Sequence, residues 1–415
     1  MNNDIEILAP AGDFKCLEYA ILYGADAVYL GGKMFGMRAS SNNFSYADLK
    51  NAVKLAHSKN VKIYLTCNTI PTNEEMLNIE DFLLKAQEAK VDGLIIADIG
   101  VFIEAKKIVP NMPIHISTQA GVMNYKTANA LYELGAKRIV LAREIPLKDI
   151  EVIRKNTPND LELEYFVHGA MCISISGRCL LSNYLTGRDA NRGNCAQACR
   201  WKYCLVEEKR PGEYFPIFED DKSFILNSKD LCLIEHLNKL LSAGVSSFKI
   251  EGRAKSLYYV AVVTNAYKIA SDILKRSVLN GEEYILPDWL KNEVLKISYR
   301  HYTTGFLFGK PTNGQYYESG GYVRTYNIVA TIVCCESGRI RCIQKNKFSV
   351  GDEVEILNPG EKPNSYKILE MFNEELNSIN SAPHSEMIVY IKISENIEKL
   401  KVLNGSIIRK KLNVD

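Results

Sequence analysis

The segment IEILAPAGDFKCLEYAILYGADAVYL, residues 5–30, contains the pattern that decides the fold. An apolar run at 5–9 precedes an amphipathic stretch at 14–23, Gly24 follows that stretch, and a second apolar run lies at 27–30. Apolar runs that alternate with amphipathic segments indicate parallel strands joined by helices, and glycine commonly ends a helix. The segment therefore predicts a strand, a helix and a second, parallel strand.

The same alternation continues through the first two thirds of the chain. Candidate strands lie at 5–9, 27–30, 62–66, 93–97, 114–118, 138–142, 163–168 and 247–251. Candidate helices include 14–23, 46–58, 74–89, 125–134 and 147–155. Eight strands in this arrangement favour a closed, TIM-like (β/α)8 barrel over an open doubly wound sheet. We therefore predict an α/β barrel over residues 1–275, with a long cysteine-bearing loop after strand 7.

The remainder of the chain changes character. Residues 276–326 predict a helical and aromatic linker. Residues 327–415 contain short alternating apolar runs separated by turns such as Ser337-Gly338 and Pro359-Gly360. Short strands with frequent turns are typical of small antiparallel barrels. We therefore predict a second domain over residues 327–415, a small all-β barrel.

Composition limits the classes of function. Lys and Arg total 51 against 49 Asp and Glu, so no global field attracts the chain to nucleic acid or anionic membranes. The N-terminus lacks the basic and apolar runs of a signal peptide, and no apolar stretch reaches membrane-spanning length. We therefore expect a cytoplasmic protein with no membrane partner. A reducing compartment keeps thiols unpaired, so the cysteines are available for metal binding or catalysis.

Six cysteines fall within one loop and its exit, namely Cys172, Cys179, Cys195, Cys199, Cys204 and Cys232. Cys172 follows strand 7, and barrel active sites lie at the carboxyl ends of the strands. Four thiolates suit either tetrahedral zinc or an iron–sulfur cluster. The alternative is a set of small buried side chains with no ligand role. The absence of C-x-x-C pairs favours a cluster, but the spacing leaves these alternatives open.

The run Glu164-x-Phe166-x-x-Gly169-Ala-Met-Cys172-x₄-Gly177-x-Cys179-x-Leu181-Ser182 resembles the signature of peptidase family U32, the collagenase-like group. The resemblance extends through 191–203, 249–253 and 303–311. Within the family, the chain most resembles the tRNA-hydroxylating members. It implies an enzyme that converts the wobble uridine in the anticodon region of tRNA to 5-hydroxyuridine, with prephenate as co-substrate.

The resemblance also implies a 4Fe–4S cluster, and hence contact with iron–sulfur assembly machinery. The family's four cysteines match Cys172, Cys179, Cys195 and Cys232, with Cys199 as the substitute for Cys195. Zinc remains the alternative metal.

Polar residues at the strand ends form the candidate small-molecule site. A small dicarboxylate such as prephenate needs cationic anchors, and the arginine guanidinium matches carboxylate geometry. The substrate-binding candidates are Arg38, Asn68, Gln119, Arg143, Lys249, Glu251 and Arg253. The alternative for the arginines is a structural ion pair, of Arg143 with Glu144 or of Arg253 with Glu251. The catalytic candidates are His168, Glu164 and His115, and the alternative for His115 is a hydrogen-bonded interior histidine.

RNA binding requires local basic density beside aromatic side chains. The candidates near the cysteines are Arg188, Arg192, Arg200, Trp201 and Lys202. A second basic group in the C-terminal domain, which would suit docking of the tRNA body, consists of Arg339, Arg341, Lys345, Lys347, Arg409, Lys410 and Lys411. The alternative for both groups is a solvated surface.

Two other functions remain open. One is a collagenase-like peptidase, either metal-dependent or with His168 activating Cys172, since a thiolate beside an imidazole is an effective nucleophile. The chain has neither a His-Glu-x-x-His nor a Gly-x-Ser-x-Gly motif, and cysteines bound to a metal cannot attack a peptide bond. The other is a non-catalytic RNA-binding scaffold in which a metal braces the loop.

Overall fold

The computed structural model describes residues 5–37, 43–172, 174–175, 178–201, 204–205, 211–212, 215–216, 228–311, 322–395 and 403–412. The chain forms two compact units. The first contains Met1–Phe14, Ala27–Ala254 and Arg300–Tyr322, and the second contains Lys15–Asp26, Lys255–Tyr299 and Val323–Asp415. The sequence-based boundaries at residues 275 and 326 stay predictions.

Eight parallel strands form a closed barrel in the first unit. They are β1 Glu6–Ala11, β2 Ala27–Gly31, β3 Lys62–Cys67, β4 Gly93–Ile96, β5 Ile114–Ile116, β6 Arg138–Val140, β7 Glu162–Ala170 and β8 Val245–Ile250. Each strand pairs with the next, and β8 pairs with both β7 and β1, which closes the sheet. The predicted TIM-like barrel is confirmed.

Helices alternate with these strands, and several begin at side-chain caps. The helices are α1 Phe14–Leu22, α2 Tyr46–His57, α3 Asn73–Met76, α4 Ile79–Glu88, α5 Ile99–Ile108, α6 Tyr125–Glu133, α7 Leu147–Lys155, α8 Leu181–Thr186, α9 Leu237–Ser242, α10 Leu257–Asn280 and α11 Asp288–Glu293. Ser45 and Asp48 form a capping box at the start of α2, and the Asp98 side chain accepts the Val101 N–H at the start of α5. Such caps satisfy backbone donors that have no partner within the helix. In the described part of the chain, none of these helices combines the length and the apolar character that crossing a membrane requires.

A short strand after the long loop was absent from the sequence-based prediction. Asp230–Cys232 pairs antiparallel with the end of β7, and Tyr302–Thr303 then pairs parallel with Asp230–Cys232. Cys232 lies opposite His168 in this register. The chain thus returns from the loop to the carboxyl end of β7, where the cysteine signature begins.

The second unit contains a closed barrel of six antiparallel strands. They are β9 Tyr326–Glu336, β10 Arg339–Gln344, β11 Glu353–Leu357, β12 Asn364–Phe372, β13 Ile388–Ile393 and β14 Ile407–Lys411. The order around the barrel is β11-β14-β9-β10-β13-β12, and β12 pairs with β11. Alternate residues such as Ile340, Cys342, Val389 and Ile391 point into one apolar core. The predicted small β-barrel is confirmed.

Candidate active site

A buried ion-pair network, here called the floor, fills the amino-terminal half of the first barrel. Arg138 at the start of β6 donates to Glu6 at 2.6 Å, to Glu164 at 3.0 Å and to the Ser247 hydroxyl at 3.3 Å. Lys249 Nζ donates to Glu164 at 2.7 Å. Burial acts to raise the pKa of Glu6, but the charge and hydrogen bonds of Arg138 outweigh it and lower the pKa, so this carboxylate stays ionised. Buried charges need such partners because desolvation is costly.

His115 also belongs to the floor. Its ring lies edge-on to Tyr64 with 4.5 Å between centroids, and it is in register with Arg138. Burial, together with the charges of Arg138 and Lys249, lowers the pKa of His115 well below its usual value, so the ring is neutral. Two of the three predicted catalytic residues, Glu164 and His115, therefore lie in the floor and away from the carboxyl ends of the strands.

The mouth of the barrel, at the carboxyl ends of the strands, holds Arg143. Its guanidinium pairs with Glu251 at 2.6 Å, donates to the Ala170 carbonyl at 2.5 Å and lies 3.8 Å from the centre of the Phe166 ring. The partner of Arg143 in this pair is thus Glu251, although the sequence suggested Glu144. The buried Nε atom of Arg143 has no hydrogen-bond partner among the described residues.

Arg253 lies across the same opening. Its side chain is buried, and Nη1 donates to the Thr66 hydroxyl at 3.1 Å. A Cβ atom on Gly31, the last residue of β2, would overlap this guanidinium, so only glycine leaves room for it. Sequence reasoning missed Gly31, although a glycine at a strand end can mark a close approach of another group.

Gln119 and Asn68 lie at the mouth as well, where both contact Met37. The Gln119 amide nitrogen contacts the Met37 sulfur, and its carbonyl oxygen is buried without a hydrogen-bond partner in the described structure. Asn68 accepts the Met37 N–H at 3.2 Å, and the Gln119 backbone carbonyl accepts from Arg178 at 2.8 Å. Arg38, the remaining predicted anchor, lies outside the described residues.

The cysteines of the signature surround the end of β7. The nearby thiols of Cys179 and Cys195 contribute to raising the pKa of Cys172, so these three cysteines lie in one region. Cys232 is placed there by its register with His168, whose Nε2 lies 3.4 Å from the Tyr302 hydroxyl.

Desolvation raises the pKa of Cys172, although part of its side chain is exposed. Burial acts to raise the pKa of Cys179 as well, but hydrogen bonds from the Ser174 hydroxyl and from the backbone N–H groups of Ser182 and Leu181 outweigh it and lower that pKa.

The donor set consists of cysteine thiols, which suit either an iron–sulfur cluster or a zinc ion. Among the described residues, no three Cys, His, Asp or Glu side chains converge closely enough to hold one metal ion. Tetrahedral zinc takes its ligand atoms about 2.0–2.3 Å from one centre. A 4Fe–4S cluster binds one thiolate at each iron, so its sulfur ligands need not meet at one point, and N–H donors to sulfur tune its potential. The thiolate-stabilising donors at Cys179 suit such a group.

Hydrogen bonds within the loop fix the positions of these cysteines. Asn191 accepts the Cys179 N–H at 3.1 Å and donates to the Cys179 carbonyl at 3.0 Å. The Ser182 hydroxyl donates to the Arg188 carbonyl at 2.7 Å and accepts the Ala196 N–H at 2.9 Å. Internal hydrogen bonds therefore hold the segment from Cys179 to Ala196 in place.

Comparisons with known proteins identify the family. The family model described as peptidase family U32 matches residues 12–316, and the model of the peptidase family U32 C-terminal domain matches residues 324–409. The chain belongs to peptidase family U32.

Three relatives illustrate what this U32 protein is similar to. It is 36% identical over 396 residues to the "tRNA hydroxylation protein P1" of Bacillus subtilis, covering 94% of this chain and 92% of the relative. It is 35% identical to the "tRNA hydroxylation protein P" of Escherichia coli, covering 95% and 94%. It is also 32% identical to a "Collagenase" of Porphyromonas gingivalis, covering 86% and 87%.

Some predicted RNA-binding residues of this U32 protein form hydrogen bonds within the chain, and one is exposed to solvent. Arg192 pairs with Glu75 at 2.9 Å, and this hydrogen bond lowers the pKa of Glu75 to about 2. Arg188 donates to Asn194 at 3.0 Å, whereas Trp201 is exposed. Lys202 and the side chain of Arg200 lie outside the described residues.

The structure adds an exposed apolar surface that sequence reasoning missed. Leu180 and Tyr184, four residues apart at α8, are 78% and 85% exposed. They follow Cys179 directly, and large apolar side chains this exposed beside a site are typical of binding surfaces. Tyr184 lies two residues beyond the last fixed position of the signature, Ser182, so the signature gave no reason to predict it.

Proposed function

We propose that this U32 protein is an RNA-modifying enzyme that hydroxylates the wobble uridine of tRNA to 5-hydroxyuridine. The observation that carries the proposal is the grouping of Cys172, Cys179 and Cys195 beside a polar barrel mouth. Similarity over nine tenths of the chain to relatives named for tRNA hydroxylation supports the substrate class. In this arrangement a nucleotide base, a small co-substrate and a redox group could meet at one opening.

The mouth suits an anionic co-substrate, which we propose is prephenate. Arg143 and Arg253 place two guanidinium groups there, of which Arg143 pairs with Glu251 and Arg253 donates to Thr66. The buried Nε of Arg143 and the buried amide oxygen of Gln119 have no hydrogen-bond partner among the described residues. Leaving such a group unsatisfied costs about 1–3 kcal/mol, so two of them in one opening favour a polar ligand. Both carboxylates of a dicarboxylate would then have a guanidinium within reach.

The four cysteines Cys172, Cys179, Cys195 and Cys232 would hold a 4Fe–4S cluster, which supplies one-electron redox chemistry when bound. The residues of the chain prepare the thiolates. The backbone N–H groups at Leu181 and Ser182 and the Ser174 hydroxyl stabilise negative charge on the Cys179 sulfur. Asn191 fixes the backbone at Cys179 through two hydrogen bonds. Cys195, which lies near Cys172, is the proposed third ligand, with Cys199 as its substitute.

The target base would stack on the aromatic side chains around the loop. Tyr184 and Trp201 are exposed beside the cysteine site. Unpaired bases of an RNA loop stack on such rings while cations neutralise the phosphates. His168, whose Nε2 lies 3.4 Å from the Tyr302 hydroxyl, is the predicted catalytic residue nearest this region and the candidate for moving a proton at the base.

Mass spectrometry of tRNA nucleosides tests the proposal. A strain that lacks this chain should lose 5-hydroxyuridine at the wobble position, and the intact gene should restore it, whereas the Cys179→Ala form should not. Purified protein should require added prephenate. Unchanged tRNA modification in the deletion strain would end the tRNA proposal.

The similarity to a protein named a collagenase favours peptide hydrolysis as a second candidate function. Its nucleophile would be Cys172 with His168. Desolvation raises the pKa of the Cys172 thiol, whereas nucleophilic cysteines depend on a lowered pKa. Gelatin cleavage that is abolished by Cys172→Ser and survives removal of metal would favour the peptidase.

A further inference from the structure

A row of three side chains crosses the outer surface of the second barrel. Arg341 on β10 lies directly opposite Tyr390 on β13, and Tyr390 lies opposite Phe372 on β12. Residues opposite one another in antiparallel strands project from the same face of the sheet. Their neighbours Cys342, Val389 and Met371 are buried in the barrel core, so the row faces outward.

Cationic groups accompany the aromatic rings of this row. The Arg339 guanidinium lies 4.5 Å from the centre of the Phe372 ring, and Lys392 Nζ lies 5.8 Å from it. Lys392 is paired with Glu370 at 2.8 Å. Within the described parts of the chain, neither Arg339 nor Arg341 forms an ion pair, and the Nε atom of each has no hydrogen-bond partner. We call Arg339, Arg341, Phe372 and Tyr390 the outer face.

Three other basic residues predicted for this region are already paired with carboxylates. Arg409 is fully buried and pairs with Glu355 at 2.6 Å and with Glu293 at 2.8 Å, so its assignment to an RNA surface was wrong. Lys410 pairs with Asp352 at 2.6 Å, and Lys345 pairs with Glu386 at 2.6 Å. Arg339 and Arg341 therefore differ from these three residues, since neither has a carboxylate partner among the described residues.

We propose that the outer face binds RNA and forms a second docking surface for the body of the substrate. Two guanidinium groups without carboxylate partners suit phosphates, and guanidinium planes and aromatic rings both stack on unpaired bases. The proposal rests on the proposed function, since it takes the substrate to be tRNA, and it adds a contact remote from the modified base.

Binding measurements on two charge-matched double variants test the outer face. Arg339→Gln/Arg341→Gln removes two unpaired charges, and the control Lys345→Gln/Lys410→Gln removes two paired ones. We expect the first variant to raise the Kd for full-length tRNA about 5–50-fold and to lower the slope of log K against log salt by about 1–2, because each phosphate contact contributes a slope of about 0.7–0.9. The control should stay within about threefold of the native value.

An isolated anticodon stem-loop provides the second arm of the experiment. Its Kd should be the same for native protein and for the Arg339→Gln/Arg341→Gln variant, since the stem-loop lacks the tRNA body. Thermal unfolding midpoints check that both variants fold, and the single variants Arg339→Gln and Arg341→Gln serve if the double variant does not. Native affinity of the double variant for full-length tRNA, or equal losses on tRNA and stem-loop, would overturn the proposal.

The two proposals fail in different ways in this experiment. If the native protein binds tRNA but never forms 5-hydroxyuridine, the hydroxylation proposal fails and the outer face is still tested by its Kd. If the native protein hydroxylates tRNA and the double variant does so with unchanged KM, only the outer face fails. A native protein that binds no tRNA overturns both.

Discussion

The Arg253 guanidinium occupies the space that a side chain on Gly31 would fill. The two residues meet at the mouth of the first barrel, where Arg253 also donates to the Thr66 hydroxyl at 3.1 Å. The absence of a side chain at Gly31 thus allows the Arg253 guanidinium to lie at the mouth of the barrel. The position of Arg253, the proposed co-substrate anchor, is therefore set by a residue that carries no functional group.

Replacing Gly31 with alanine should displace Arg253 and weaken co-substrate binding. Overpacking of this kind costs about 1–3 kcal/mol, so we expect kcat/KM for prephenate to fall about 10–100-fold, mainly through KM. Gly32→Ala is the matched control, because its Cβ would meet Phe82 at an ordinary 3.5 Å. Steady-state kinetics with varied prephenate measure both. Equal effects of the two alanines would contradict the role assigned to Gly31.

Removing the central cation of the floor should destabilise the first barrel. Arg138→Met leaves Glu6 and Glu164 without their shared partner, and breaking a buried pair in this way costs about 3–5 kcal/mol. Lys50→Met is the control, since it breaks a solvent-exposed pair with Glu88, and exposed pairs contribute little to stability. Urea unfolding gives both free energies. A loss below about 1 kcal/mol for Arg138→Met would refute the structural assignment of the floor.

Acid should weaken the contact between Arg192 and Glu75. The folded pKa of Glu75 is lowered from 4.5 to about 2, so the contact contributes stability above pH 4.5 and loses it as the pH falls towards 2. Arg192→Gln should return the pKa of Glu75 towards 4.5, while Arg188→Gln should leave it low. Carboxyl titration by NMR measures the shift. A low pKa retained in Arg192→Gln would rule out the ion pair as its cause.

Tyr184 should contribute to RNA affinity through its ring. Loss of one stacked base costs about 1–3 kcal/mol, so Tyr184→Ala should raise the KM for tRNA about 5–150-fold, and Tyr184→Phe should retain most of the affinity. Leu279→Ala, at a residue 77% exposed in the second unit, controls for loss of an exposed apolar side chain. Hydroxylation assays with varied tRNA distinguish these variants. A phenylalanine variant as impaired as the alanine variant would argue against stacking.

Single cysteine variants should separate ligands from bystanders. Anaerobically purified Cys172→Ala, Cys179→Ala, Cys195→Ala and Cys232→Ala proteins should lose the visible charge-transfer absorption and the iron of a cluster, whereas Cys199→Ala should keep both. Iron and acid-labile sulfide analyses give the stoichiometry. If Cys199→Ala loses iron and Cys195→Ala keeps it, Cys199 is the ligand and Cys195 is not.

Local patterns predicted much of the architecture because they depend on neighbouring residues. The alternation around Gly24 and the signature at Cys172 identified the barrel, its strands and the cysteine region. The floor was not predicted, since Glu6 and Arg138 are distant along the chain and only barrel closure joins them. Arg409 was misassigned for the same reason. It stands in a basic run, yet its partner Glu293 lies 116 residues earlier.

The closed floor has a consequence for the order of events during turnover. Because Arg138 and its partners fill the amino-terminal end of the first barrel, the proposed co-substrate would enter at the carboxyl end. An RNA loop bound at the carboxyl end would block access to the interior of the barrel. The small molecule would then have to bind before the RNA, and its product would leave only after the RNA dissociates. The ion pairs at the amino-terminal end of the barrel would thus impose a compulsory order of substrate binding.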